Sequence, residues 1–569
     1  MCTRAHPPSA PLLLGYDPEC DLPLDHLARL VEQVVESFVP AGSRRPKRGR
    51  PAFDLRLCVK VLVFGYSTGV RSSRQLERLC REHLAYLYLT RGDTPCYRTL
   101  CSVRVSHQDV LETVWQGLFA VAASHGIWRL GRIVVDSSKF RADASRECVL
   151  TPDEYAAVLE ELRRILLEAK ETDNREEEEG GGSGTRLGQA VATDQMRDII
   201  RRVRSELAQR KKGEAAAKSL DETRAAHPPQ GVELVGLAHP PRGVELVGLA
   251  HPPRGVELAC CAASPLVGDI GASFDQTDSF ITRRMGERIA VGIAAIEEAM
   301  SDDRTHLCLT DPDARMMPEG SEQKIRECHS FEAAVDNGLI VVGQTTQVGS
   351  DQLRLSSIVE AARRHEPAGI MAVDADSGYY SGDTIAALIA SGIDTCVPDS
   401  YTACDLRYKA PIGTTRLRVF GAIPFTYVES ENYYTCPEGN VLRFDKARKK
   451  GGQIVNVYIA RRECTGCPLA SKCLKQANAK RRHLYIGQNS TVLEEARERF
   501  ENPEHQKRYH KRGPSVETVF GFLRSVLGYR RWTLRGKEKV ACEGSLFKIA
   551  YQVRKILTAW QKNSSLAAT

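Results

Sequence analysis

Residues 131–140 read GRIVVDSSKF, a β-branched run that leads into a carboxylate. Three successive β-branched side chains before Asp136 predict a buried strand. Asp136 would then lie at the carboxyl end of that strand, which is where open α/β sheets place their active sites. An aspartate at such a position also often caps a turn, so this stretch alone leaves a catalytic and a structural role open.

Strand and helix patterns alternate further along the chain. SFEAAVDN (330–337) and GLIVVGQTTQ (338–347) predict a hairpin that turns at an Asp-Asn-Gly sequence. DQLRLSSIVEAARRH (351–365) has the periodicity of an amphipathic helix, and GIMAVDADSGYYS (369–381) is an apolar strand that runs into acidic residues and glycine. TIAALIASGIDTCVP (384–398) adds a helix and a short strand. This order predicts an α/β fold with a mixed sheet flanked by helices.

The composition bounds the class of protein. The 569 residues are enough for about three or four domains, and 42% hydrophobic with 27% charged residues is ordinary for a soluble globular protein. No apolar run approaches the roughly 18 residues that span a bilayer, and the N-terminal apolar stretch is too short for a secretory signal. Eighteen cysteines, mostly without regular spacing, argue against a secreted disulfide scaffold. We therefore expect an intracellular protein.

The charge is distributed unevenly along the chain. Residues 441–569 contain 28 Lys+Arg and 10 Asp+Glu, whereas residues 1–440 contain 51 and 62. A strongly basic C-terminal part favours a polyanionic partner, most commonly a nucleic acid. Basic solvated faces without a partner are also common, so the charge alone does not identify DNA.

Changes in composition and in hydrophobic pattern divide the chain into six predicted segments. The predicted boundaries are 20–130 for a helical, DNA-binding domain, 131–150 for the first strand of the core, 151–304 for a helical and low-complexity insertion, 305–400 for the continued core, 401–505 for a basic cysteine-rich insertion and 506–560 for the C-terminal helices. The first insertion carries a twelve-residue Pro/Gly-rich unit that is repeated in tandem within 226–258, with two full copies and a third of nine residues. Three such copies are too few for a solenoid, and we interpret them as a recent, poorly ordered duplication.

Three separated blocks share one resemblance. VVDSSKFRADAS (134–145), VDADSGYYS (373–381) and VETVFGFLRSVLGYRRWTLRG (516–536) resemble the blocks that carry the catalytic carboxylates of the DDE-type transposases of bacterial insertion sequences. GRPAFDLRLCVKVLVFGYSTGVRSSRQLE (49–77) resembles the helical domain that precedes their catalytic core. The resemblance covers most of the chain outside the repeat.

The resemblance implies a catalytic triad of Asp136, Asp376 and Glu517, and it selects Asp376 over Asp374. It implies an RNase H-like core that holds two Mg²⁺ (or Mn²⁺) ions for cleavage at the ends of an insertion sequence and for strand transfer to target DNA. Carboxylates suit such ions, since Mg²⁺ prefers hard oxygen ligands. A homodimer on DNA and a cytoplasmic, nucleoid-associated location without membrane contact are implied as well.

Basic and aromatic residues surround the third carboxylate. A related transposase pattern places a tyrosine, an arginine and a lysine around that glutamate; here Tyr509 and Arg512 are present and Arg524 replaces the lysine. The spacing from Arg512 to the glutamate is four residues where the pattern has three. The resemblance implies that these three residues, with Arg530 and Arg531 of the same block, contact DNA.

Four cysteines form the one spaced cluster. Cys436 is followed by Cys464, Cys467 and Cys473, with a Cys-x2-Cys pair at its centre. Four thiolates at such spacing predict a closed structural Zn²⁺ site in a zinc-ribbon-like subdomain, and the resembling transposases carry similar cysteines there. Four reduced thiols in a small β-subdomain are the alternative.

Three other functions remain open on the sequence. A nuclease on the same fold would cut DNA without joining it. A decayed copy would keep DNA affinity without chemistry. A zinc-dependent regulator would bind specific DNA independently of Asp136.

Overall fold

The structure of the protein is a computed structural model in which part of the chain is described. The described residues are 17–41, 53–124, 126, 131–178, 193–226, 280–319, 324–364, 369–415, 425–450, 453–474, 479–487 and 489–567. The tandem repeat from residue 227 onward lies outside them. The chain forms two units, one from residues 1–143 with 313–569 and the other from 144–312.

The first unit begins with a group of helices that ends in the first strand of a sheet. These elements are α1 Pro18–Asp21, α2 Leu27–Phe38, α3 Leu55–Ser67, α4 Ser73–Glu82, α5 Leu84–Thr90, α6 Tyr97–Ser106, α7 Gln108–Ser124 and β1 Arg132–Arg141. Side chains cap several helices: Asp54 accepts from the Arg56 N–H at the start of α3, and Ser72 accepts from the Gln75 N–H at the start of α4.

The second unit is built from long helices around its own core. Its elements are β2 Val149–Leu150, α8 Pro152–Glu178, α9 Thr193–Ala226, α10 Phe280–Ser301 and β3 Leu307–Cys308. Leu162, Ile200 and Ile296 are fully buried in this core, and β2 pairs antiparallel with β3.

The first unit continues with a mixed sheet. Its elements are β4 Arg315–Glu319, β5 Lys324–Asp336, β6 Leu339–Thr346, α11 Leu355–Arg363, β7 Ala372–Ala375, α12 Gly382–Ala390, β8 Asp394–Cys396 and α13 Ser400–Tyr408. The strand order is β4-β5-β1-β7-β8, with β6 also paired to β5. β1 runs antiparallel to β5 and parallel to β7. The predicted α/β class with a mixed sheet is therefore confirmed.

A second sheet and the C-terminal helices complete the first unit. They are β9 Thr426–Val428, β10 Tyr433–Thr435, β11 Val441–Lys450, β12 Gln453–Ala460, α14 Ala470–Cys473, β13 His483–Gly487, α15 Ser490–Glu498, α16 Pro503–Gly521 and α17 Lys537–Ala567. The second sheet is antiparallel throughout, in the order β13-β12-β11-β10-β9. A π-helical segment, Phe522–Val526, follows α16.

One hydrophobic core connects the N-terminal helices, the mixed sheet and α17. The Phe547 ring of α17 stacks between Trp532 and Tyr529, with ring centroids 4.8 and 4.2 Å away. Tyr66 of α3 packs edge-on against Tyr529, and the Tyr529 hydroxyl donates to the Tyr66 carbonyl. The N-terminal helices therefore share their core with the C-terminal end of the chain.

Local predictions and the structure agree at the hairpin and differ at the first strand. Asn337 and Gly338 have φ angles of 49° and 78°, as the predicted tight turn between β5 and β6 requires. The first strand, however, continues to Arg141, because β5 pairs with it beyond Asp136. Asp136 thus lies within β1, at the point where the parallel pairing with β7 stops. None of the described helices combines the length and apolarity that crossing a bilayer requires.

Candidate active site

The two predicted catalytic aspartates emerge from neighbouring parallel strands. Val135 of β1 pairs with Ala375 of β7. Asp136 and Asp376 are the next residues on the two strands, so they lie side by side where the pairing of β1 with β7 stops. Neighbouring strands lie about 4.8 Å apart. Asp376 also caps a short 3₁₀ turn by accepting a 2.9 Å hydrogen bond from the Gly378 N–H. The turn orients one carboxylate oxygen of Asp376.

The environment of Asp136 disfavours its negative charge. Burial, followed by the charge of Asp376, raises the pKa of Asp136 to about 6. Two contacts lower the pKa of Asp136. The Ser137 N–H donates a 2.7 Å hydrogen bond to its carboxylate, and the Arg512 guanidinium lies 3.7 Å from Oδ2. The carboxylate is 21% exposed. Two adjacent carboxylates of this kind can accept a cation that relieves their repulsion.

Asp374, the other aspartate of this strand, is already paired. Its side chain is fully buried, Arg508 Nε donates to Asp374 Oδ1 at 2.8 Å, and Arg132 Nε lies 3.3 Å from Oδ2. Arg508 also donates to the Asp394 carboxylate of β8. Since α16 carries Arg508, these ion pairs fasten that helix to the strand that leads into Asp376.

Removing the Asp374 carboxylate should destabilise the protein strongly. Asp374→Ala leaves the Arg508 guanidinium half-buried without its main partner, and we expect a loss of roughly 3–5 kcal/mol in the free energy of unfolding. Urea denaturation followed by circular dichroism measures it. The matched control is Asp394→Ala, which removes the second, half-exposed partner of Arg508 and should cost less than about 1 kcal/mol. Equal losses in both variants would contradict the assignment of Asp374 as the fastening residue.

Arg512 joins α16 to the aspartate pair. In addition to its contact with Asp136, its guanidinium lies over the Tyr509 ring at 5.5 Å from the centroid. Within the described residues, its Nε and Nη1 atoms are buried and have no hydrogen-bond acceptor. Buried donors without acceptors are costly in a folded protein. The guanidinium therefore keeps hydrogen-bonding capacity beside Asp136 that no described residue uses.

Glu517 lies on the same helix, five residues after Arg512. Its side chain is exposed, and it makes no ion pair or hydrogen bond among the described residues. Its Oε1 is 3.2 Å from the place where a Cβ on Gly513 would be, so the glycine leaves room for the carboxylate. No three His, Cys, Asp or Glu side chains in the described ranges are arranged to hold a metal ion. The structure brings Asp136 and Asp376 together, and the role of Glu517 as the third ligand stays a prediction.

The other predicted DNA contacts have different surroundings. Arg524 Nη2 donates to Ser138 Oγ at 2.7 Å and to the Lys139 carbonyl at 3.0 Å, so this guanidinium connects the helix to β1. Arg530 and Arg531 are exposed on the segment that precedes α17. Arg531 Nη1 also lies 4.0 Å from Asp143 Oδ1, and all three roles in DNA binding stay predictions.

The structure adds a group of polar residues that the sequence reasoning missed. Asp351, from the loop before α11, accepts a 2.9 Å hydrogen bond from Ser137 Oγ and lies 3.0 Å from Lys139 Nζ. It also contributes to the raised pKa of Asp136. The fully buried Tyr379 hydroxyl has no hydrogen-bond partner among the described residues. The polar residues that directly follow Asp136 in the sequence could have pointed to Ser137 and Lys139 as site residues, whereas no motif marks Asp351.

The four cysteines line one cavity of about 240 Å³. The Asn440 N–H donates to Cys436 Sγ at 3.3 Å, and Asn440 Nδ2 donates to Cys464 Sγ at 3.7 Å. Burial raises the pKa of Cys473, while nearby Arg482 opposes that shift. The sulfur atoms thus gather around a common space, although no three of them already have the arrangement that an ion needs.

Comparison with known proteins adds two family matches. Residues 435–557 match the family described as "Transposase DDE domain", and residues 16–106 match the family described as "Transposase domain (DUF772)". The two matches confirm the resemblance to the DDE-type transposases of insertion sequences. No curated protein and no solved structure matches the chain.

The transposase matches cover the two ends of the chain. The DDE match contains Glu517 and the cysteine cluster, whereas Asp136 and Asp376 lie outside both matched ranges. The two families indicate a function in transposition, which acts on DNA. The assignment of each catalytic residue depends on the geometry described above.

Proposed function

We propose that this protein is the transposase of an insertion sequence, and that it cleaves the ends of its element and joins them to target DNA on an RNase H-like core. The observation that carries the proposal is the juxtaposition of Asp136 and Asp376 where the parallel pairing of β1 with β7 stops, with Arg512 beside Asp136. The strand and helix order β1, β5, β6, α11, β7, α12, β8 supports the RNase H-like assignment.

The carboxylates fit a divalent cation. Asp136 and Asp376 provide hard oxygen ligands, and a bound cation would relieve the repulsion between their charges that contributes to the raised pKa of Asp136. Glu517 would join them as the third ligand from α16. Bound Mg²⁺ or Mn²⁺ ions would supply activation of the attacking oxygen and stabilisation of the leaving oxygen.

The protein's own residues would position the DNA. The Arg512 guanidinium, whose Nε and Nη1 atoms lack an acceptor among the described residues, would donate to a phosphate oxygen next to Asp136 once DNA is bound. Asp136 must be ionised to act as a ligand, so we expect cleavage to rise with pH through about 6. Exposed Arg530 and Arg531 would contact the phosphate backbone further along. A homodimer would bring two ends together.

The test is a cleavage and joining assay on the full-length protein. The donor DNA carries the inverted repeats that flank the gene, and a supercoiled plasmid is the target. With Mg²⁺ we expect both cleaved ends and joined product, and neither without the ion. Cleaved ends without joined product would favour a nuclease, and binding of donor DNA without cleavage would favour a relic or a regulator.

We also propose that Cys436, Cys464, Cys467 and Cys473 hold a structural Zn²⁺ ion. Their position around one cavity and the N–H donors of Asn440 near two sulfurs support this, because such hydrogen bonds stabilise thiolates. Small side-chain rotations would be needed to complete a tetrahedral site.

Loss of one cysteine should release the ion and loosen the subdomain. For Cys467→Ser we expect the zinc content of purified protein to fall from about one ion per chain to below about a third. Metal analysis by mass spectrometry measures it, and Cys404→Ser, a cysteine outside the cluster, is the control. Zinc-free wild-type protein, purified without chelators, would refute the proposal.

A further inference from the structure

The second sheet has two faces of opposite character. On one face, Leu442, Tyr458 and Leu484 are buried against the cysteine loops. The other face, here called the basic face, consists of Tyr433, Arg443, Lys446, Arg448, His483 and Tyr485 together with the aliphatic side chains between them. Residues directly opposite each other on paired strands share a face, so the register defines this set.

A β-bulge brings the basic side chains to one face. The register of β11 shifts between Phe444 and Lys446, where Asp445 is the extra residue. Because side chains alternate along a strand, Arg443 and Lys446 would lie on opposite faces without this insertion. With it, Arg443 pairs with Ile459, Lys446 pairs with Val457, and both point to the basic face.

The charges of the basic face are little compensated. No described strand position on this face carries a carboxylate. Asp445 in the bulge lies 3.9 Å from Lys446, but Lys446 is 67% exposed and such pairs contribute little. Between residues 441 and 487 the chain has 12 Lys+Arg and 2 Asp+Glu. The face is therefore complementary to a polyanion.

Aromatic rings are placed among these charges. Tyr485 is 43% exposed, and the Arg448 guanidinium lies over its ring at 4.7 Å from the centroid. Tyr433 is partly exposed and lies directly opposite Arg443. Rings and guanidinium planes between basic side chains stack unpaired bases, whereas a duplex offers only its phosphates to such a surface.

We propose that the basic face binds a single-stranded segment of DNA. Tyr433, Tyr485 and the Arg448 guanidinium would stack on bases, and Arg443, Lys446 and Arg448 would neutralise phosphates. The charges and rings of the basic face indicate a single-stranded polynucleotide, and the inference rests on the proposed function only in naming that polynucleotide as DNA. It concerns a surface separate from Asp136 and its neighbours.

The test is fluorescence anisotropy of full-length protein with a labelled oligo(dT) of about 12 nucleotides and with a duplex of equal length, without Mg²⁺. For Tyr485→Ala we expect affinity for oligo(dT) to fall about tenfold, the size of one lost base–aromatic stack, with duplex affinity almost unchanged. The matched control is Tyr427→Ala, since Tyr427 is 44% exposed but lies on the opposite face.

Several results would overturn the proposal. These are unchanged oligo(dT) binding by Tyr485→Ala, an equal loss with Tyr427→Ala, and tighter binding to oligo(U), which would indicate RNA. If Tyr485→Ala does not fold, Lys446→Gln at an exposed position serves instead and should reduce the salt dependence of binding. Oligo(dT) binding is measured without Mg²⁺ and cleavage of donor DNA with it, so a failure of cleavage and a failure of this proposal are distinguishable.

Discussion

Asp136→Asn is expected to abolish cleavage and to stabilise the protein at the same time. Loss of one ligand removes several kcal/mol of transition-state stabilisation, so cleavage of donor DNA should fall by roughly a thousandfold or more. The assay on inverted-repeat donor DNA with Mg²⁺ measures this effect. The free energy of unfolding should rise, because the mutation removes a buried charge that Asp376 repels.

The pH dependence gives the sign of that stability change. The pKa of Asp136 is about 6 in the folded protein and about 3.8 in the unfolded chain. The unfolded chain therefore releases this proton at lower pH, and the contribution of Asp136 to the stability of the wild type falls as pH rises from about 4 to 6. Above that range Asp136→Asn should be more stable by up to about 3 kcal/mol. Chemical denaturation at both ends of the range measures it.

Asp336→Asn is the matched control for this prediction. Asp336 is a buried carboxylate of β5 whose pKa burial also raises, and it accepts a hydrogen bond from the Gly131 N–H. It lies at the end of the strand away from Asp136, so cleavage should persist in this variant. Substantial cleavage by Asp136→Asn, or a loss of stability near neutral pH, would show that Asp136 is a structural residue.

Glu517→Gln should abolish cleavage without a change in stability. Glu517 is exposed and makes no ion pair in the described part of the chain, so the free energy of unfolding should stay within about 0.5 kcal/mol. If Glu517 completes the cation site, cleavage should fall at least about a hundredfold, since a metal ligand contributes several kcal/mol. The Mg²⁺-dependent rise in melting temperature should also become smaller than in wild type.

Glu504→Gln provides the comparison on the same helix. Glu504 is exposed in the first turn of α16 and lies 4.0 Å from Lys507 alone. The free energy of unfolding and the cleavage rate of Glu504→Gln should match those of the wild type. If Glu517→Gln cleaves DNA as well as Glu504→Gln does, Glu517 is a surface residue, and the third ligand must be sought elsewhere, with Asp351 the first candidate.

Local patterns were sufficient for the elements of the core. The β-branched run before Asp136, the Asp-Asn-Gly turn and the amphipathic helix α11 each depend on neighbours within a few residues, and each is present in the structure. The prediction that β1 ends at Asp136 was wrong, because the length of this strand depends on its pairing with β5, nearly 200 residues away in sequence. A strand ends where its partners end.

Resemblance and structure contributed differently to the site. The aligned blocks selected Asp376, and the ion pairs of Asp374 with Arg508 and Arg132 explain physically why Asp374 has another task. Nothing local marks Arg508, because its role exists only once α16 lies against β7 and β8. The same holds for Asp351: the sequence pattern places it at the start of the predicted helix 351–365, whereas the helix begins at Leu355 and Asp351 contacts Ser137 and Lys139 of β1.

The amino-acid order thus determined the α/β class, the candidate carboxylates and the basic C-terminal part, since hydrophobic periodicity and charge are properties of neighbouring residues. Tertiary structure alone decided that Asp136 meets Asp376, that two N–H groups of Arg512 have no acceptor among the described residues, and that a bulge brings Arg443, Lys446 and Arg448 to one face. These properties arise from strand register and burial, which distant parts of the chain impose on each other.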